Sequence, residues 1–251
     1  MNTPDVAAGL KGKSAIVTGG GTGLGLVYAK ALAREGALVT VADIDGDSAN
    51  RAARALTDAG AAAIGVAVDV ADDAAVQAMV DAAREAFGRV DILVNNAGLA
   101  RGKWSLCIEL ESDDWLRLFA VNVVGAVACA RACRPLMVAQ GGGVIVNQSS
   151  MAAYSVLNTA YGVSKLALSG LTVALATELA ADGVRVNGIA PGMMSGRVPD
   201  DVVAHTVARQ LIARRGEGDD LVGALIFLCS DASSFMTGQT LIVDGGITRR
   251  V

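Results

Sequence analysis

Tyr161 and Lys165 stand four residues apart in the run Tyr161-Gly162-Val163-Ser164-Lys165. On a helix this spacing puts a phenol and an ammonium on one face, about one turn apart. A phenol that can lose its proton, beside a cation that favours the loss, is an acid/base pair. Ser150 precedes Tyr161 by eleven residues and, with Ser149 beside it, follows an apolar run typical of a strand. Far upstream, Gly19-Gly20-Gly21-Thr22-Gly23-Leu24-Gly25 forms a turn that a phosphate could approach. The energetics of the pair nearly balance. Tyrosine ionises at about pKa 10, and a base near neutrality needs a fall of about 3 units, roughly 4 kcal/mol. One positive charge at about 5 Å, in an effective dielectric of about 20, supplies roughly 3 kcal/mol. Lys165 is therefore expected to lower the Tyr161 pKa.

The elements around these residues must bring them together. Ser14 to Thr18 reads as a strand, the glycine turn follows at once, and Leu26 to Glu35 has apolar residues at helical spacing. In that context the glycines allow a tight turn and a close pyrophosphate, and the helix start offers free N–H groups and a positive dipole end. An ordinary glycine loop is the competing reading of the turn alone. Leu38 to Ala42 is a second strand, ending in Asp43, eighteen residues beyond Gly25. A carboxylate there suits the adenosine ribose of a dinucleotide. It would repel a 2′-phosphate. The turn has no Arg or Lys, so both features favour NAD over NADP. A solvated strand end is the plainer reading of Asp43.

Further strands are expected at Ala62 to Val68, Val90 to Val94, Val144 to Asn147, Val184 to Ala190 and Thr240 to Val243. Helices are expected at Gly46 to Ala59, Ala74 to Phe87, Asp113 to Val138, Thr159 to Ala181 and Asp219 to Cys229. This alternation predicts an α/β fold, a Rossmann-type doubly wound parallel sheet of about seven strands flanked by helices on both faces. Ligands bind such sheets at the carboxyl ends of the strands. Thr18, Asp43, Asp69 and Asn95 fall at such ends. Asn122 lies in an apolar helical surround (FAVNVVGA), as a core amide, a helix-bending device or a functional group. Met193 to Gly218 looks like an insertion, with a helical pattern around Val202 to Ile212, suited to a substrate lid. No linker or repeat divides the chain, so one domain over 1–251 is expected.

Composition narrows the function classes. The 251 residues are 53% hydrophobic with a net charge of −4, which leaves no basic field for nucleic acid or an anionic membrane. The apolar runs Val121 to Ala130 and Leu166 to Ala176 fall short of the ~20 positions of a membrane span. Met1 to Lys13 lacks an apolar signal core. A soluble, cytoplasmic protein is expected. Cys107, Cys129, Cys133 and Cys229 read as buried free thiols, and the lone His205 cannot by itself anchor a metal site. No metal is expected.

Taken together, these residues resemble the short-chain dehydrogenase/reductase family over nearly the whole chain. The likeness rests on Thr18-Gly19 with Gly23 and Gly25, on Asn95-Asn96-Ala97-Gly98, on Asn122, on Ser150, on Tyr161 with Lys165, and on Asn187 with Pro191-Gly192. The resemblance implies Tyr161 as general acid/base and Lys165 as the residue that binds the nicotinamide ribose and lowers the tyrosine pKa. It implies Ser150 as the substrate anchor and Asn122 as holder of a relay water. It implies a cofactor site of Gly19, Thr22, Gly23, Leu24, Gly25, Asp43, Ile44, Asp69, Val70, Asn96, Ala97, Gly98, Tyr161, Lys165, Pro191 and Gly192. A homotetramer is also implied, with the helices around Asn122 and Tyr161 at one dimer interface. Two departures stand out. The gap from Ser150 to Tyr161 is slightly short, so Ser149 stays an alternative. Where the family often has Thr after the Pro-Gly pair, this chain has Gly196, with Ser195 beside it.

The function expected is NAD-dependent interconversion of a secondary alcohol and a ketone. An NADPH-dependent 3-oxoacyl thioester reductase is the nearer alternative, and a catalytically silent NAD-binding scaffold the more distant one. Ser150, Met151, Tyr154, Met193 and Met194 are expected to line the substrate, with Trp104 near them. That lining suits a lipophilic or cyclic substrate. Arg101, Lys103 and Arg197 leave room for an anionic group.

Overall fold

Seven short runs rich in Val, Ile and Ala become strands, and the alanine-rich stretches between them become helices. The computed structural model describes residues 9–100, 105–155, 158–196, 198 and 200–249. Its first half runs β1 (Ser14–Thr18), α1 (Gly23–Arg34), β2 (Leu38–Asp43), α2 (Gly46–Asp58), β3 (Ala63–Ala67), α3 (Asp73–Phe87), β4 (Ile92–Asn95) and α4 (Ser112–Phe119). Then come α5 (Gly125–Ala139), β5 (Gly143–Gln148), α6 (Ala152–Ser155), α7 (Ala160–Glu178), β6 (Val184–Pro191), α8 (Asp200–Val207), α9 (Val222–Cys229) and β7 (Thr240–Val243). The strands form one parallel sheet in the order β3-β2-β1-β4-β5-β6-β7. The order reverses between β1 and β4, which opens a crevice at their carboxyl ends.

Alternation along the strands divides the core in two. Val17 and Val146 face one layer, with Tyr28 and Leu32 of α1 and Leu225 of α9. Ile16 and Ile145 face the other, with Met79 of α3, Cys133 of α5 and Leu175 of α7. Local signals set the helix ends. Asp72 caps α3 by accepting from the Ala74 and Ala75 N–H groups, and Gly88 ends it at φ 74°. The Thr159 hydroxyl accepts from the Gly162 N–H and starts α7 just before Tyr161.

Several expectations change. The single helix predicted over Asp113 to Val138 is α4 and α5 joined by one turn of π-helix, Ala120–Val124, with Asn122 inside it. The wider turn inserts a residue into the helical register, which hydrophobic spacing does not reveal. By length and composition, Ser112–Ala139 and Ala160–Glu178 could each cross a membrane. Both stretches lie on the sheet, with Ala128, Cys129, Leu168 and Leu175 buried. The helix expected around Val202 to Ile212 is α8, which stops at Val207, because the chain then turns so that the Leu211 and Ile212 N–H groups both donate to the Gly245 carbonyl. Cys129, Cys133 and Cys229 are buried, and burial pushes the Cys129 and Cys229 thiols up to about 12. Cys107 departs from expectation and is half-exposed.

Candidate active site

The glycine turn is fastened to the end of β4 by side chains. The Thr18 hydroxyl accepts from the Asn96 and Ala97 N–H groups, both at 3.1 Å. The Asn96 amide donates back to the Thr18 and Gly19 carbonyls at 2.9 and 3.0 Å. A Cβ on Gly25 would collide with the Gly19 carbonyl oxygen and the Asn96 amide, so only glycine fits there. Thr22 stands at the N-cap of α1 without capping it through its side chain, and the first turn holds no acid. Such a helix start leaves N–H groups and a positive end available to an anion. Asp43 closes the far side: its carboxylate accepts from the Gly21 N–H at 3.0 Å and the Asp45 N–H at 3.1 Å.

Beyond this turn lie two cavities. One, of about 380 Å³, is lined by Gly19, Thr22, Asp43, Ile44, Asp69, Val70, Asn96, Ala97 and Gly98, among others. The second, of about 510 Å³, continues past Gly98 between the ends of β5 and β6 and under α8. Leu24, Ser150, Tyr161, Lys165, Pro191 and Gly192 line it.

The chemical groups meet in this second cavity. A hydrogen bond links Ser150 to the Tyr161 hydroxyl. Ser149 points elsewhere: its hydroxyl donates to the Lys165 carbonyl at 3.0 Å and sits 2.8 Å from Ser169 Oγ. The Lys165 ammonium lies 5.8 Å from the Tyr161 ring centroid and donates to the Gln148 carbonyl at 2.7 Å. Burial raises the Tyr161 pKa, and the Ser150 hydrogen bond lowers it to a smaller extent. The net direction is upward, opposite to the one expected from Lys165 alone, because the phenol is packed away from water.

Asn122 reaches the same place from the π-turn. Its Oδ1 accepts from the Leu99 N–H at 2.7 Å, and its Nδ2 donates to the Leu99 carbonyl and to Ser164 Oγ, both at 3.0 Å. A Cβ on Gly98 would stand 3.2 Å from Asn122 Oδ1 and 3.3 Å from Lys165 Nζ. The bare backbone at Gly98 thus leaves room directly above both groups.

Known proteins are similar to this chain in sequence and fold. A family model described as enoyl-(acyl carrier protein) reductase matches residues 19–248. The cis-4-hydroxycyclohexanecarboxylate dehydrogenase of Sinomonas cyclohexanicum is 40% identical, over 93% of this chain and 96% of that protein. A 7α-hydroxysteroid dehydrogenase solved with NADH and 7-oxo glycochenodeoxycholic acid matches at TM-score 0.92 and 33% identity, over 99% of both chains. A gluconate 5-dehydrogenase from Burkholderia cenocepacia, solved with NADP and tartrate, matches at TM-score 0.91 and 36% identity, over 98% of this chain and 100% of that one.

The chain belongs to the short-chain dehydrogenase/reductase family.

Within that family frame, the expected substrate lining divides. Ser150, Met151, Met193 and Met194 line the larger cavity. Tyr154 does not, because its hydroxyl donates to Ser169 Oγ at 3.0 Å and holds the ring against α7. Arg101, Lys103, Trp104 and Arg197 lie outside the described residues. Gly23 and Gly25 shape the start of α1 and line neither cavity. Ser195 and Gly196 both line the larger cavity, at the position where the family often has Thr.

Sequence reasoning missed other residues. Gln148 lines the larger cavity, and its Oε1 accepts from the buried Tyr28 hydroxyl at 2.7 Å. A polar residue closing an apolar strand was the available signal. His205 and Arg209 line the cavity from the lid. His205 lies on α8 one turn from Val202, and Arg209 follows in the turn where the helix has ended. Arg215 pins the loop after β6 by donating to the Met194 and Gly196 carbonyls at 3.0 and 2.8 Å.

Proposed function

We propose that this chain is a NAD-dependent oxidoreductase that interconverts a secondary alcohol and a ketone, with Tyr161 as general acid/base. The observation that carries the reading is the meeting of Ser150, Tyr161 and Lys165 in one cavity that opens toward the glycine turn. A nicotinamide dinucleotide fits the residues present. The uncapped start of α1 and the glycine turn suit its pyrophosphate, and Asp43 and Asp69 line the cavity for its adenosine. Leu24, Pro191 and Gly192 border the place for its nicotinamide, and Lys165 and Tyr161 the place for the adjoining ribose. A nicotinamide bound there would supply the acceptor for the hydride of the alcohol carbon, or its donor in the reverse direction.

The chain's own residues handle the proton. Ser150 orients the substrate oxygen by hydrogen bonding. In oxidation Tyr161 Oη takes the hydroxyl proton as the carbonyl forms, and in reduction it gives a proton to the carbonyl oxygen. Lys165 favours the phenolate electrostatically against the burial that opposes it. Asn122 holds the loop at Leu99 and so fixes one wall above Lys165. The relatives named for hydroxycyclohexanecarboxylate and hydroxysteroid dehydrogenation support a cyclic, lipophilic substrate, as does the Met-rich lining.

The test replaces Tyr161 with Phe and follows reduced-cofactor absorbance over a panel of secondary alcohols. Turnover is expected to fall by about 10²–10⁴-fold, with NAD still bound. The wild-type pH dependence follows from the raised Tyr161 pKa. Oxidation needs the phenolate, so its kcat/KM rises with pH toward the tyrosine pKa. Ketone reduction needs the phenol, so it is level below that pKa and falls above it. Undiminished turnover in Tyr161→Phe would sink the assignment.

A further inference from the structure

Past Ser150 and Tyr161, the larger cavity runs under α8, and the two permanent charges on its described lining, Lys165 and Arg209, are both positive. Among the described residues, its ionisable lining groups are Tyr161, Lys165, His205 and Arg209, and no aspartate or glutamate joins them. Lys165 is committed to the Gln148 carbonyl and the tyrosine ring. Arg209 is different. Its guanidinium makes no hydrogen bond or ion pair with any described residue, whereas its two neighbours in the lid are spent. Arg214 makes a two-pronged pair with Asp220, both contacts at 2.7 Å, and Arg215 holds the Met194 and Gly196 carbonyls. Arg214 and Arg215 hold the segment in shape, and the exposed Arg209 borders the cavity.

The space between the charges is apolar. Met151, Met194, Val202 and Ile247 line it. A ligand that satisfies the whole cavity therefore carries a hydroxyl or carbonyl at one end, a hydrocarbon body, and an anion at the other. A guanidinium matches a carboxylate with two parallel N–H···O bonds, and a wall free of acids leaves that pairing unopposed.

We propose that the stretch from α8 to the turn after it carries an anion-recognition subsite, with Arg209 of the turn at its centre and His205 of α8 beside it, and that the substrates are secondary alcohols or ketones bearing a carboxylate on an apolar carbon skeleton. This rests on the reading of Ser150 and Tyr161 as the alcohol end of the cavity. Arg209 is a specificity-determining residue here, remote from the reacting carbon.

The test compares 4-hydroxycyclohexanecarboxylate with neutral 4-methylcyclohexanol, using saturating NAD, in the wild type, Arg209→Met and Arg209→Lys. The wild type is expected to prefer the acid in kcat/KM by about tenfold or more, the worth of a charge-assisted hydrogen bond. Arg209→Met should collapse that ratio by about the same factor, through KM for the acid, and Arg209→Lys should restore part of it. A parallel calorimetric titration with cyclohexanecarboxylate, which cannot be oxidised at a hydroxyl, reads binding alone. It should weaken about tenfold or more in Arg209→Met. Equal use of both probes by the wild type would overturn the proposal. So would an equal loss on both probes in Arg209→Met, or weakened NAD binding with the acid preference intact. If the wild type oxidises neither probe, the alcohol-dehydrogenase reading fails by itself, and the titration still decides the subsite. Cyclohexanecarboxylate binding that is absent, or indifferent to Arg209, would then overturn it.

Discussion

Asp43 holds the glycine turn and borders the smaller cavity with one carboxylate. Accepting from the Gly21 N–H, it fixes the glycine turn from outside, and a Cβ on Gly21 would stand 3.0 Å from its Oδ2. The remaining lone pairs face the smaller cavity, where two ribose hydroxyls could donate to them. A 2′-phosphate brought there would set like charges together, at a cost of several kcal/mol. NADP is therefore expected to bind at least about a hundredfold more weakly than NAD. Asp43→Ser should narrow that gap chiefly by improving NADP binding. Fluorescence titration of both reduced cofactors measures this, and NADPH binding as tight as NADH in the wild type would refute the role given to Asp43. Tyr161 makes a related point at the same scale. Its neighbour in sequence periodicity, Lys165, pointed to a lowered pKa, and desolvation of the half-buried phenol raises it instead. Spacing reveals which charges are close. It does not reveal how much water the fold removes.

At the scale of elements, the π-turn Ala120–Val124 sets where Asn122 sits. Both backbone groups of Leu99 are bonded to that one amide, so the exit from β4 and the helix pair α4–α5 are joined at a single side chain. Asn122→Ala leaves those groups without partners and is expected to destabilise the fold by about 1–3 kcal/mol. It should also lower kcat by about tenfold or more, since misplaced walls cost reactivity far from the chemistry. Ser164→Ala removes only one of the amide's bonds and should be milder on both counts. Urea unfolding and steady-state rates on the two variants would check this, and an Asn122→Ala enzyme as stable and active as wild type would exclude the role. The strand-helix alternation was legible because side-chain period and turn glycines report local geometry directly. The convergence of Ser150, Tyr161 and Lys165 on one cavity and the glycine turn were legible because they lie in short local motifs with fixed spacing. The π-turn was not, since one inserted residue leaves the apolar pattern almost intact. The rotation of Tyr154 onto Ser169 and the exposure of Arg209 to the cavity were not legible either. Both depend on how α7 and α8 settle against neighbours distant in sequence.

Across the whole molecule, one surface stands out as apolar without intramolecular cover. Leu116 on α4 is 70% exposed and Val124 in the π-turn 57%, beside Leu166 and Val173 on α7 at 42% and 53%. Leu166 and Val173 lie two turns apart on one stripe, and a Cβ added at Gly170 between them would meet nothing. These are the helices that carry Asn122, Tyr161 and Lys165, so their outer faces back directly onto the site. Burial of apolar area is worth about 25 cal/mol per Å², and contiguous exposed patches of this kind mark contact surfaces. The flat, small-residue stripe on α7 suits a second copy of the same helix, packed across a two-fold axis. We therefore expect self-association through α4, α5 and α7, consistent with a homotetramer that uses this face for one of its interfaces. Light scattering on the eluted protein at micromolar concentration should give a mass of at least two chains. Gly170→Arg, placed in the open stripe, should lower that mass. Because the helix backs become exposed, activity should fall with dissociation and recover in part at high protein concentration. A wild-type protein that elutes as a monomer at all concentrations, with full activity, would remove the interface from consideration.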